Sequence, residues 1–226
     1  MHVDLNADVG EGLATDDELL RIVTSANVAC GFHAGDGATM RRLCEAAAEL
    51  GVAVGAHVGY RDREGFGRRK LDIEPSLIEA ETLEQVERLQ LHGRVAYVKP
   101  HGALYHRASV DQECATAIVS GVLAAGGPHA LLAFPGSRLY AVARDAGLVA
   151  VAEGFADRGY DANGQLVSRS EPGALLDAEA AVRQAVTLAG EVGSICVHGD
   201  SPDAVALARR VADGLRAAGY ELRAFA

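Results

Sequence analysis

The sequence predicts an α/β fold, a (β/α)-barrel of TIM-like type with seven strands, and three observations predict it. Short apolar runs alternate with helix-period segments along the whole chain. Nearly every run ends in polar, chemically able residues. The chain has 226 residues, suited to one large α/β domain spanning 1–226, and no linker-like or low-complexity tract divides it. An open doubly wound sheet shares the alternation, but its ligands gather at one switch point, so only two or three strands need polar tips. A closed barrel with its site on the top face needs them on most strands, as here.

Residues 2–6, HVDLN, alternate as a first strand and enter the acidic turn Asp8-Val9-Gly10-Glu11-Gly12. Thr15 and Glu18 read as a capping box opening a helix to about residue 25, with Leu19, Leu20 and Val23 on one face. In NVACGFHAGD (27–36), Val28, Ala29 and Cys30 are too brief for a helix and suit a strand buried on both faces. The chain then puts out His33 and Asp36. A helix over 39–50 stops at Gly51, and a strand over 52–56 follows. Residues 59–73 form a long irregular connection carrying Arg61, Arg63, Arg68, Arg69 and Lys70. Pro75 and Ser76 start a glutamate-rich helix to about residue 91.

The fourth strand spans 95–98 and the helix after it 110–125, stopped by Gly126-Gly127-Pro128. Strand 129–134, helix 137–146, the Gly147 stop and strand 148–152 complete the next units. The connection over 154–173 contains Asp161-Ala162-Asn163-Gly164, a turn or small hairpin. Helix 177–189 and strand 194–197 follow. Ser201-Pro202-Asp203 combines a cap, an N1 proline and an acidic first turn, opening a last helix to about residue 218. Residues 220–225 read as a closing strand or a tail.

Composition excludes several classes. A net charge of −10 argues against sequence-independent binding of nucleic acid and against anionic membrane surfaces. No apolar run approaches the ~20 residues of a spanning helix, and MHVDLNADVG has no secretory pattern. Cys30, Cys44, Cys114 and Cys196 show no CxxC spacing, and those in apolar runs read as buried thiols. A cytoplasmic protein is expected.

The chemistry lies at the strand tips. His33, His57, His101 and His198 all fall there; His2, His92, His106 and His129 do not. Such imidazoles serve as general acids or bases, or as neutral metal ligands. Carboxylates accompany them: Asp4, Asp8 and Glu11 after strand one, Asp36 after strand two, Glu153 and Asp157 after strand six, Asp200 after strand seven. With no HExxH and no close histidine pair, a divalent metal and metal-free acid–base chemistry both stay open. Arg68, Arg69, Lys99, Arg158 and Arg169 bring positive charge to the expected mouth and suit a small anionic substrate. Arg61 and Arg63, beside Asp62 and Glu64, read as solvated ion pairs. The catalytic candidates are Asp8, His33, Asp36, Lys99, His101, Asp157, Arg158, His198 and Asp200; the substrate-binding candidates are Asn6, Glu11, Arg68, Arg69 and Arg169. No GxxxxGK[ST] loop is present, and GEG at 10–12 does not continue as GxGxxG.

Taken in order, DLNADVGEG, NVACGFHAGD, VGAHVGYRD with GFGRR, VKPHGALY, EGFADRGYDANGQLVSR and ICVHGDSPDAV resemble the LamB/YcsF lactam-utilisation family. The resemblance covers nearly the whole chain. It implies a (β/α)-barrel akin to the polysaccharide-deacetylase superfamily and the activity of the A subunit of an ATP-dependent 5-oxoprolinase. That subunit opens a small anionic lactam to glutamate together with partner subunits B and C. By superfamily analogy it implies a divalent metal at Asp8, His57 and His101. Lys99, Arg158 or a metal would polarise the carbonyl, Asp8, His101 or Asp200 would be the base, and Arg68 or Arg69 would hold the substrate carboxylate. The alternatives are a stand-alone metal-dependent amidase or deacetylase and a non-catalytic small-acid-binding subunit. The segment after Glu11 and the connection before SICVHGD are shorter than the family pattern, Val58 stands where a proline is usual, and His106 replaces an asparagine.

Overall fold

Alternation along the strands decides which side chains meet. In the computed structural model, which describes residues 1–162, 164–169, 171–199 and 203–226, β1 (His2–Val9) sends Val3, Leu5, Ala7 and Val9 outward into the main apolar core. Asp4, Asn6 and Asp8, the alternate residues, turn inward. The same inversion, polar inside and apolar outside, recurs on β2 (Ser25–Ala29), β3 (Ala53–Val58), β4 (Tyr97–Pro100) and β7 (Ser194–Val197). β5 (Ala130–Ala133) and β6 (Val149–Phe155) fill the far side of the interior with Leu132, Val151 and Phe155.

All strand pairs are parallel. The order β2-β3-β4-β5-β6-β7-β1, with β1 paired back to β2, closes a seven-stranded barrel. β8 (Glu221–Leu222) pairs with His2 and Val3 of β1, and the residues beyond it place Phe225 under the barrel, 5.0 Å from the Tyr97 ring. Around the barrel lie α1 (Asp16–Leu20), α2 (Gly37–Leu50), α3 (Pro75–Gln90), α4 (Gly102–Val110), α5 (Gln112–Ala125), α6 (Arg138–Asp145), α7 (Ala178–Leu188) and α8 (Ala204–Ala217). Their apolar stripes face the strands; on α2 these are Met40, Leu43, Cys44 and Ala47, spaced for one helix face.

Several boundaries differ from expectation. α1 ends at Leu20, not near residue 25, because Ser25 is already paired with Asn6 and Ala53. Thr15 makes no capping bond: its backbone is helical (φ −89°, ψ −11°), which turns the hydroxyl away from the orphan amides. α4 has no counterpart among the expected elements. It is short, lacks a clean amphipathic period, and starts at Gly102 with φ 54°. Gly51 and Gly126 end α2 and α5 in the left-handed conformation, as expected. Asp161 N donates to Gln165 O, and Tyr160 pairs antiparallel with Leu166, the expected hairpin; its Asn163 lies outside the described residues, as do Ser201 and Pro202 of the expected helix start.

The barrel floor is polar. Asp4 accepts hydrogen bonds from Thr24 Oγ1 and Ser25 Oγ, each at 2.6 Å, and from Ser194 Oγ. Burial nevertheless pushes its carboxyl up to about 6. The folded state therefore favours protonated Asp4. That contribution is complete below the unfolded value of 3.8 and is lost as pH rises through about 6, a span worth about 3 kcal/mol. Asp4→Asn should flatten this part of the stability–pH curve measured by urea unfolding; an unchanged slope would mean Asp4 stays ionised.

One glycine sets the floor's geometry. A Cβ on Gly55 would overlap the buried Tyr97 ring, whose hydroxyl donates to Asn27 Oδ1 at 2.7 Å. Gly55→Ala should cost about 1–3 kcal/mol by overpacking, read as a lower urea midpoint.

Candidate functional site

Above the floor, four strands converge on one ammonium. Lys99 Nζ lies 2.8 Å from Glu153 Oε1, 3.0 Å from Cys196 Sγ, and 3.2 Å from both Asp8 Oδ1 and Asn6 Oδ1. Burial opposes its charge, but Asp8, Cys196 and Glu153 outweigh it and raise the lysine well above its ordinary value. Lys99 is a fixed cation. The carboxamides complete the network: Asn27 Nδ2 donates to Asn6 Oδ1 (2.7 Å) and Asp8 Oδ1 (2.8 Å), and Asn6 Nδ2 donates to Glu153 Oε1 (3.1 Å) and Ser194 Oγ (2.8 Å). Tyr105 hydroxyl donates to Glu153 Oε2 at 3.0 Å. Burial works against Asp8 as an anion, yet His57 and Lys99 hold its carboxyl well below the usual range.

On one side of Lys99 the tips of β2, β3 and β4 bring three imidazoles together. His57 Nε2 lies 2.9 Å from His101 Nδ1, and the His33 ring stacks on His101 at 3.9 Å. Glu11 Oε1 lies 3.4 Å from His33 Nε2, 3.5 Å from His101 Nδ1 and 3.8 Å from His57 Nε2. Burial, then the neighbouring rings, push His33 and His101 well below the ordinary histidine value.

On the other side, past β6 and β7, Asp157 Oδ1 and Oδ2 lie 2.9 and 3.1 Å from His198 Nδ1, and Oδ2 also accepts from the His198 amide at 3.1 Å. Burial opposes the Asp157 charge, but the His198 contacts win and lower its carboxyl. A histidine oriented by a carboxylate presents its other nitrogen for proton transfer.

These groups share one cavity of about 710 Å³, lined by Asp8, Glu11, His57, Lys99, His101 and His198. Its outer wall carries Arg68, Lys70, Arg158 and Arg169 among Tyr60, Leu71, Phe155 and Leu166. Asn6 and His33 stand just behind the lining, joined to it by the contacts above. Two candidates are displaced. Asp36 is exposed and caps α2, accepting from Thr39 N at 2.8 Å; the sequence places its carboxyl at a strand tip, and the structure places it at a helix start. Arg69 leaves the mouth to pair with Asp62 and Glu64 at 3.0 and 3.1 Å. Arg158 reaches the cavity but also donates to Ala174 O (3.1 Å) and Val167 O (2.7 Å), so it organises the connection it starts. Arg61 stacks over Phe32 and pairs with Glu81 and Glu84 rather than its chain neighbours, and Arg63 donates to Gly35 O. Asp200 lies outside the described residues.

Sequence reasoning misses Cys196 as a contact of Lys99, Tyr105 as a contact of Glu153, and His106. His106 lines the cavity from α4; burial and the nearby Arg158, Lys70 and Arg169 lower its pKa. The KPHGALY motif and the His106 that follows it contain the signal, since a helix starting at a strand tip returns its first turn to the mouth.

A closed parallel barrel whose strand tips deliver a fixed ammonium, a carboxylate-oriented histidine and clustered imidazoles to one cavity defines a barrel enzyme of the hydrolytic, acid–base kind. The chain belongs to the LamB/YcsF family, whose family model matches residues 3–226. It is 52% identical over 249 residues to the 5-oxoprolinase A subunit of Streptomyces griseus, covering 99% of this chain and 100% of that one. It is 46% identical over 249 residues to the 5-oxoprolinase A subunit of Nocardia farcinica, covering 100% of both. Among solved structures, the lactam utilization protein of Thermus thermophilus superposes with a TM-score of 0.92 at 39% identity and full coverage of both chains. A carbohydrate-esterase domain of a xylanase from the hindgut metagenome of Trinervitermes trinervoides shares the fold, with a TM-score of 0.55 at 12% identity over 98% of this chain and 87% of that one. Among the described residues, no helix is long and apolar enough to cross a membrane.

Proposed function

We propose that this chain is the ring-opening component, the A subunit, of an ATP-dependent 5-oxoprolinase, converting 5-oxo-L-proline to L-glutamate in the cytoplasm with partner subunits B and C. The observation that carries the reading is the full-length identity, about one half, to proteins of that name. The cavity supports it chemically. Opening a lactam needs a polarised carbonyl oxygen, an activated water and a proton for the departing nitrogen. Lys99, cationic and immobile, suits the developing oxyanion. The Asp157–His198 pair suits the proton transfers, taking a proton from water at the free imidazole nitrogen and returning it to the ring nitrogen. Arg68 and Arg169 suit the substrate carboxylate, and Arg158, which also braces its own connection, adds to the same positive wall. Asp8 and Glu153 keep Lys99 in place.

Two groups from outside the chain enter this reading. ATP belongs to the complex: the sequence has no glycine-rich phosphate loop, and none of the roles above passes through the nucleotide. The donor chemistry of His57 and His101, each offering a second nitrogen toward the cavity, fits a divalent metal. Such an ion supplies Lewis-acid polarisation of a carbonyl when bound.

The test is glutamate release from 5-oxoproline by this chain mixed with candidate partner subunits, with and without ATP. His198→Ala and Asp157→Asn should lower kcat by about 10²–10⁴-fold with thermal unfolding little changed. Lys99→Ala should also cost about 3–5 kcal/mol of stability, because it strands Asp8 and Glu153 in a dry interior. Turnover without ATP that a chelator abolishes would favour a stand-alone amidase; ligand binding without turnover in the full complex would favour a binding subunit.

A further inference from the structure

The imidazoles at the tips of β3 and β4 account for their protons in a way that calls for a cation between them. A backbone carbonyl only accepts, so the 3.0 Å contact of His57 Nδ1 with Lys99 O places a proton on that nitrogen. The 2.8 Å contact of His101 Nε2 with Phe66 O does the same there. With the other nitrogen of each ring already carrying a proton, His57 Nε2 and His101 Nδ1 are the nitrogens left to coordinate. They face each other at 2.9 Å. Two ring nitrogens at that distance need a positive charge beside both, a shared proton or a metal ion, and the same gap serves either.

His33 points to the same spot. It is buried, neither of its ring nitrogens has a hydrogen-bond partner, and its Nε2 lies 3.4 Å from Glu11 Oε1. An unsatisfied buried imidazole is costly, and coordination would satisfy it. One atom from each of Glu11, His33, His57 and His101 lies within 4.8 Å of every other. The carbonyls behind the rings are arranged as a metal's outer shell is, fixing tautomer and ring plane. Phe66 takes φ 54°, a conformation a bulky residue adopts at a cost, while giving its carbonyl to His101. Asp8, which the deacetylase analogy nominates, is engaged elsewhere: its Oδ1 accepts from Asn27 and Lys99, and only His57 among the three rings meets its Oδ2, at 3.4 Å.

We propose that Glu11, His33, His57 and His101 bind one first-row divalent ion of the Zn²⁺ type, with Asp8 outside the coordination sphere. Three imidazoles and one carboxylate suit a borderline transition ion better than Mg²⁺ or Ca²⁺, which take oxygen donors. The ion enters from the cavity, which Glu11, His57 and His101 line.

Co²⁺ titrated into the chelator-stripped chain, followed by its visible d–d absorption and then displaced by Zn²⁺, tests this without substrate, ATP or partners. A failure here is thereby separate from a failure of the lactam reading. One equivalent should bind. His33→Ala and Glu11→Gln should each weaken binding by about a hundredfold or more, with circular dichroism unchanged. Asp8→Asn should stay within a few-fold of wild type, and His106→Ala, which changes the cavity but not the donor set, should match it. No stoichiometric binding by the wild-type chain would overturn the proposal. So would loss of binding in Asp8→Asn with retention in His33→Ala, which would return the ion to the aspartate-based set.

Discussion

A lysine ammonium buried in the middle of a parallel barrel constrains everything around it. Isolated in a dry interior, such a charge is expensive, and it survives only with opposite charge and hydrogen bonds in close geometry. Lys99 meets this requirement with Glu153 on β6, Asp8 and Asn6 on β1, and Cys196 on β7. These contacts tie strands from around the ring, and each partner is itself held: Asn6 by Ser194 and Asn27, Glu153 by Tyr105, Asp8 by Asn27. Around Lys99 the interior is a hydrogen-bonded polar network, with most of the apolar packing displaced to the outer layer between strands and helices. A half-satisfied network would be worse than an apolar core.

The same network divides labour among groups of similar chemistry. Asp8, Asp157 and Asp4 are all buried aspartates, yet their environments drive them apart. His57 and Lys99 offset burial at Asp8, and His198 offsets it at Asp157, so both stay anionic. Asp4 has hydroxyl donors but no cation against it, and burial prevails. The histidines separate likewise. His198 has a carboxylate behind it that orients its ring; His33 and His101 crowd each other and stay neutral, the state in which imidazoles coordinate.

How much of this is legible in the sequence follows from what a strand tip reveals. Apolar runs ending in His57, Lys99, His101, Asp157 and His198 identify residues that a closed barrel must gather over one rim, and it gathers them. The tip does not reveal direction. Asp36 follows β2 closely, but a helix starts at the next residue and its carboxylate turns to cap it. Arg68 and Arg69 are neighbours, yet one lines the cavity and the other pairs with Asp62 and Glu64. Cys196 is legible as a buried thiol and illegible as a contact of Lys99, because that contact is made across the barrel. α4 is hidden because tertiary packing of Leu104, Tyr105 and Ala108, and not a strong periodic pattern, holds it in place.

The division between rigid interior and variable rim explains how family likeness and local departures coexist. The fixed ammonium, the imidazole cluster and the Asp157–His198 pair sit on or next to strands whose register leaves little freedom, since a one-residue slip would turn each polar column outward. The cationic wall instead rides on the connections around 59–73 and 156–177. The alignments to relatives run over 249 positions, more than the 226 residues of this chain. Loops on a rigid scaffold adjust what enters a site while the chemistry beneath stays put. The Lys99 network is independent of those connections, because none of its contacts is drawn from them. Substitutions in those connections should therefore change what enters the cavity, and not the proton and charge machinery below.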